Sequence, residues 1–272
     1  MTQNTTKSEI IMLGTGSAFP VHSYNCCFAI KTPELLWLAD AGGGNGIFPA
    51  LRRADIDIAD LHHIFISHAH TDHILGVVWL MRAIINAYFE GRYNGTVNVY
   101  ANSATASALV EICRLTFLKS HFELLQKLLV CVITDNTPAI KAGDTEIEFF
   151  DAGSENVAQT GFRMRLPSGK TVACLGDEAL TEQNIHNATG SDLLMCGAFC
   201  RYADRDVFHP YEKHHLTVKD VAELAAKGNI GTLLLYHSED RTPDKKAAYK
   251  AEASQFFRGE ILIPADGDRF TI

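Results

Sequence analysis

Seven residues constrain this chain more than any others. Ser67-His68-Ala69-His70-Thr71-Asp72-His73 packs three imidazoles and a carboxylate into one short stretch. The apolar run HHIFIS (62–67) leads into it, and apolar residues at 74, 75, 77, 78, 81, 84, 85 and 88 follow with helical spacing. The pattern predicts a strand that delivers the cluster at its C-terminal end, then a helix from about Asp72 to Phe89 with Thr71 as N-cap.

Borderline cations such as zinc take imidazole nitrogen and carboxylate oxygen, and a catalytic site leaves one position open for water. In a loop after a strand, His68 and His70 can turn toward one point, while Asp72 and His73 at the helix start aim at a neighbouring point. Two adjacent cations then fit. The competing reading is a turn with exposed histidines; three at this spacing with an interleaved Asp favour metal binding.

Around the cluster the chain alternates strands and helices. EIIML (9–13), 26–31 and LLWLAD (35–40) follow one another at hairpin-like spacing through the Gly-rich turns GTGSAFP and AGGGNG, an opening β-meander. A short helix is expected over 47–54, a strand at 97–100, and helical material from 103 to 128. Strands are expected near 129–133, 146–150, 161–166 and 171–175. A helix at 217–227 leads to the strand TLLLY (232–236), and EILIPADGDRFTI reads as a final hairpin. Strands in clusters with interspersed helices suggest two sheets packed face to face with helices outside, an α+β architecture. Residues 1–8 are expected to be flexible and 9–272 to form a single domain.

A 47% hydrophobic and 21% charged composition is that of a chain able to bury a substantial core. Seven cysteines, with no C-x-x-C pair, read as reduced thiols; Cys26 and Cys27 lie in a strand and read as packing. The start, MTQNTTKSE, lacks the order of a signal peptide, and no apolar run approaches a membrane span, so a cytoplasmic protein is expected. A formal charge of −8 disfavours long nucleic acids but not a small anionic substrate, for which a cation in a cleft supplies local positive charge.

The run H-x-H-x-D-H after an apolar strand resembles the signature of the metallo-β-lactamase superfamily, and four ordered stretches extend the resemblance over most of the chain. LGTGSAFP resembles the opening of the ribonuclease Z-like branch. CLGDE (174–178) is similar to its Gly-Asp motif, HLTVKDVAELA (215–225) to its His-Ser/Thr motif, and LLLYHSED (233–240) to the strand carrying its last histidine. The resemblance implies an αββα sandwich of two mixed sheets flanked by helices, with metals at one edge between them. It implies that His68 and His70 hold a first metal, that Asp72, His73 and His237 hold a second, and that Asp177 bridges them. Zinc is the implied ion, in one or two copies, with manganese or iron as alternatives, and a homodimer is consistent with the resemblance. On the residues alone, Asp177 reads as a turn residue and His237 as a core histidine.

Three departures narrow the reading. The family places a further histidine before a Gly-Phe/Tyr step, where this chain has FFDAGSENVAQTGF (149–162); Asp151, Ser154 and Glu155 are the candidates to replace it. The acid that orients the histidine of the His-Ser/Thr motif is missing from Met195-Cys196-Gly197-Ala198-Phe199, which leaves His215 as a candidate proton donor without a partner. Only 23 positions separate Ser154 from Asp177, too few for the long arm of relatives that process transfer RNA, so that activity is not expected. The expected function is metal-dependent hydrolysis, foremost of a phosphodiester in a small molecule or short nucleotide, with Asp72 also orienting the attacking water. An iron-dependent thiol oxidoreductase and a binding module without turnover are the alternatives.

Overall fold

Strands that are apolar on both faces need a cover on each side. In β1 (Glu9–Gly14), Ile10 and Met12 face one core while Ile11 and Leu13 face another. The computed structural model describes residues 7–154, 156–178 and 180–272. It contains two seven-stranded sheets. The first holds β1, β2 (Cys27–Lys31), β3 (Leu36–Ala39), β4 (His63–Phe65), β5 (Val97–Ala101) and β6 (Leu129–Ile133) in that order, with the last strand of the chain, β14 (Arg269–Thr271), beside β1. The second holds β7 (Ala139–Ala142), β8 (Thr145–Asp151), β9 (Thr160–Arg165), β10 (Thr171–Cys174), β11 (Leu193–Gly197), β12 (Thr232–Tyr236) and β13 (Glu260–Leu262).

Each sheet is antiparallel in one half and parallel in the other. β14, β1, β2 and β3 alternate in direction, and β3 to β6 run parallel. β7 to β10 alternate, and β10 to β13 run parallel. Helices α1 (Ile47–Arg53), α2 (Thr71–Phe89), α3 (Ser103–Thr116) and α4 (Lys119–Leu128) cover the outside of the first sheet. After the short α5 (Arg205–Phe208), α6 (Val218–Lys227) and α7 (Lys245–Ala253) cover the second, which completes the expected αββα sandwich. Between the sheets Trp37, Phe65, Tyr100, Phe149 and Phe162 pack together, with Trp37 and Tyr100 tilted at 4.7 Å and Phe65 edge-on to Phe162 at 5.1 Å.

Three local expectations change. The final hairpin is absent: β13 extends the second sheet beside β12, and the chain then crosses to pair β14 with β1. The PADGD turn suits a tight reversal, but turn chemistry cannot choose a strand's partner, and each sheet had an open edge to fill. Thr71 is the first helical residue of α2 rather than its cap; His70 occupies the cap position without a side-chain capping bond, because its ring is turned toward His68. The start of the chain is fixed earlier than expected: Ser8 is buried and its carbonyl accepts the amide of Ile272, while residues 1–6 lie outside the described residues.

One glycine sets how closely α2 approaches the meander. A Cβ on Gly76 would lie 1.8 Å from the carbonyl oxygen of Ala41, and the Gly76 amide donates to Gly42 at 2.8 Å. Helix propensity favours alanine here by about 1 kcal/mol, but the clash is with backbone and dominates. Gly76→Ala is expected to destabilise the fold by about 3 kcal/mol, read as a lowered urea midpoint.

Candidate metal centre

The polar groups of the cluster leave the C-terminal ends of strands, where the parallel halves of both sheets open onto the same edge. Asp40 follows the end of β3, Ser67 and His68 follow β4 after Ile66, Asp177 follows β10 after the Leu175-Gly176 turn, and His237 directly follows β12. Two of these positions have left-handed backbone, Asp40 at φ 54° and His237 at φ 50°, a conformation uncommon outside Gly but adopted more readily by Asp and His than by most side chains. Gly176, at φ 68°, makes the turn that carries Asp177 inward, and a Cβ there would sit 3.2 Å from Ser67 Cβ.

Asp40 organises the imidazoles. One carboxylate oxygen accepts the Ser67 amide at 2.8 Å; the other accepts the Ser67 hydroxyl at 2.8 Å and lies 2.8 Å from His73 Nδ1. With the hydroxyl proton directed at Asp40, Ser67 Oγ is the acceptor for His68 Nδ1–H at 2.9 Å, which leaves the lone pair of His68 on Nε2. His70 Nδ1 lies 2.9 Å from that Nε2. Asp40 was not singled out from the sequence, since an Asp between an apolar strand and a Gly-rich turn looks like any turn residue.

Asp177 Oδ2 sits at the meeting point, 2.8 Å from His73 Nε2, 2.8 Å from His237 Nε2 and 3.8 Å from His68 Nε2. Asp72 Oδ2 is 3.4 Å from His73 Nε2 and 3.8 Å from His237 Nε2. Donor atoms of Asp72, His73, Asp177 and His237 all lie within 4.8 Å of one another, an arrangement that could hold a metal ion. Although close to Asp177, the Nε2 atoms of His73 and His237 make no aligned hydrogen bond, and Asp177 Oδ1 has no partner, among the described residues. Buried donors and acceptors left unpaired cost about 1–3 kcal/mol each. Several converging on one point fit a cation, whose bonds would satisfy them together.

The charges show the same tension. Burial alone would lower the His73 pKa, but the Asp177 and Asp40 carboxylates outweigh it and raise it well above the usual value. Burial would raise the pKa of Asp177, yet His237 and His73 hold it well below the carboxylate range. Asp72 is likewise held low against burial by His237 and His73. His68 goes the other way: burial, then the neighbouring His73, push it well down and keep it neutral.

A cavity of about 820 Å³ opens over the cluster. Phe19, Phe199 and Phe208 form apolar wall, and Lys213 and Arg241 add positive charge. Lys213 Nζ lies 4.8 Å from the Phe199 ring and Arg241 4.7 Å from Phe208. His215 lines the cavity with its ring stacked on Phe199 at 5.2 Å and 5.2 Å from His237; burial, helped by His237, lowers its pKa to about 4. The rim loop is fastened by carboxylates: Asp240 accepts the amides of Val21 and His22, and Asp72 accepts that of Ala18.

All six expected ligand residues therefore meet at one edge, and His215 joins them across the cavity. The candidates for the missing histidine do not all follow. Asp151 is exposed and accepts the amide of Gly153 at 2.8 Å; Ser154 lines the cavity; Glu155 lies outside the described residues. Gln159 was missed: it lines the cavity, is buried, and its Oε1 has no hydrogen-bond partner among the described residues. Its only sequence signal is its place just before Thr160-Gly161-Phe162.

Two half-parallel seven-stranded sheets with a His/Asp cluster at their common edge define a metallo-β-lactamase fold of the ribonuclease Z-like branch. Within that class the chain belongs to the family described as Anti-Pycsar protein Apyc1, whose model matches residues 8–258. It is 27% identical to a ribonuclease Z from Bradyrhizobium sp. (strain ORS 278), over 97% of this chain and 99% of that protein. Among solved structures it is similar to the metallo-β-lactamase fold protein YhfI from Bacillus subtilis (TM-score 0.79, 20% identity, 97% of this chain and 99% of that one). It is also similar to Zn(2+)-bound PqqB from Methylobacterium extorquens (TM-score 0.71, 13% identity, 96% and 99%). No helix among the described residues is long and apolar enough to cross a membrane.

Removing the organising carboxylate should be costly even without metal. Asp40→Ala strands the Ser67 amide and His73 Nδ1 in a buried setting and is expected to lose about 3 kcal/mol of stability, measured by urea unfolding of the chelator-treated protein.

Proposed function

We propose that this chain is a metal-dependent hydrolase that cleaves a phosphodiester in a small molecule or short nucleotide. The observation that carries the reading is the set of buried His73, Asp177 and His237 with half-buried Asp72, its unpaired polar atoms facing one another beneath a cavity that also holds Lys213 and Arg241. Asp72, His73 and His237 would hold one cation, His68 and His70 another, and Asp177 would serve both; zinc is the favoured ion given the imidazole share of the donor set. The ribonuclease Z relationship supports phosphodiester chemistry, and the family's description supports a role in opposing a Pycsar system.

A bound divalent cation supplies hydroxide near neutral pH and positive charge for the substrate. The chain's own groups do the rest. Lys213 and Arg241 draw an anionic group into the cavity and hold it against Phe199 and Phe208. Asp72, partly exposed at the cavity floor, orients the attacking water. His215, stacked on Phe199 and facing the cavity beside His237, is the group placed to exchange a proton with the leaving oxygen.

A second reading, cation binding without turnover, is favoured by the absent histidine. Zinc- or manganese-loaded protein is expected to hydrolyse bis-p-nitrophenyl phosphate. His68→Ala and Asp72→Ala should each lower kcat/KM by at least about 100-fold, with loss of bound metal by elemental analysis. Metal retained by wild type without turnover on phosphodiesters would favour the second reading, and equal turnover by the variants would remove the ligand assignment.

A further inference from the structure

The two halves of the donor set are unequal. Around Asp177, one side has Asp72, His73 and His237 with donor atoms within 4.8 Å. The other has His68 and His70, whose ring nitrogens face each other at 2.9 Å, and no third imidazole. Gln159 flanks that poorer side. Its carbonyl accepts the amide of Ala152 at 3.0 Å, and the next amide, Thr160, donates to the carbonyl of Ser67 at 2.9 Å, which pins Gln159 beside the Ser67-His68 step. Its Oε1 lies 3.6 Å from the position a Cβ would take on Gly176, next to Asp177. The residue is only 7% exposed and lines the cavity, and Oε1 has no hydrogen-bond partner among the described residues.

We propose that Gln159 takes the place of the absent histidine, its amide oxygen completing the cation position formed by His68, His70 and Asp177. This rests on the two-cation reading above. An amide oxygen is a harder and weaker donor to zinc than an imidazole and suits manganese better. The His68/His70 position is therefore the weaker and more readily exchanged of the two, and discriminates less in favour of zinc.

The test is cation titration of the full chain, by calorimetry and by the visible absorption of bound Co²⁺, with far-UV circular dichroism to confirm folding. Wild type is expected to bind two equivalents, the second at least about tenfold more weakly. Gln159→Leu should weaken the second equivalent a further tenfold or more, leave the first unchanged and alter only the second cobalt spectrum. Gln159→His should tighten the second equivalent and increase its preference for zinc over manganese. Two equivalents with unchanged second affinity and spectrum in both variants would overturn the role of Gln159 while leaving the cation reading intact. No cation bound by wild type would overturn both.

Discussion

The buried carboxylate of Asp40 is the constraint on which the site depends. It lies between β3 and β4, fixes the Ser67 backbone and hydroxyl, and through them sets which nitrogen of His68 faces the cluster, while it holds His73 directly. A single acid thus orients two imidazoles from the side remote from the cavity. This is the usual logic of outer carboxylates around metal-type histidines, where ring orientation and tautomer are settled before any ligand arrives.

The sheets explain why these groups meet. Each changes from antiparallel to parallel pairing partway across, and the parallel strands all release their chains at the same edge. Loops from the first sheet bring Asp40, His68 and His70, and the first turn of α2 brings Asp72 and His73; loops from the second sheet bring Asp177 and His237. Because alternate residues of these strands belong to different buried layers, a slip in register would move Phe65 or Tyr236 from the layer between the sheets to the helix-covered face as well as displace the site. The packing of the sandwich and the geometry of the cluster are therefore specified by the same residues.

Much of this was legible in the sequence, and the limits have physical reasons. The helical period after His73 and the apolar runs before the cluster predict β4 and α2, because burial imposes those periods directly. The ligand set was read through ordered motifs, since no local rule distinguishes Asp177 from a turn residue or His237 from a core histidine. Asp40 and Gln159 escaped because their roles depend on contacts with distant segments, Ser67 and His73 in one case and the Gly176 turn in the other. The supposed terminal hairpin failed for the same cause: β13 and β14 have suitable local sequence, but each found a partner in a different sheet.

That last pairing bears on how the molecule is made. β1 is hydrogen-bonded to β14, with Glu9 opposite Thr271. During synthesis β1 keeps one edge open until the distant residues of β14 have been made, and closing so long a loop is slow. An open strand edge is also a template for association with other chains. Nascent chains should thus be most vulnerable to aggregation after most of both sheets could assemble but before β14 seals the edge of β1.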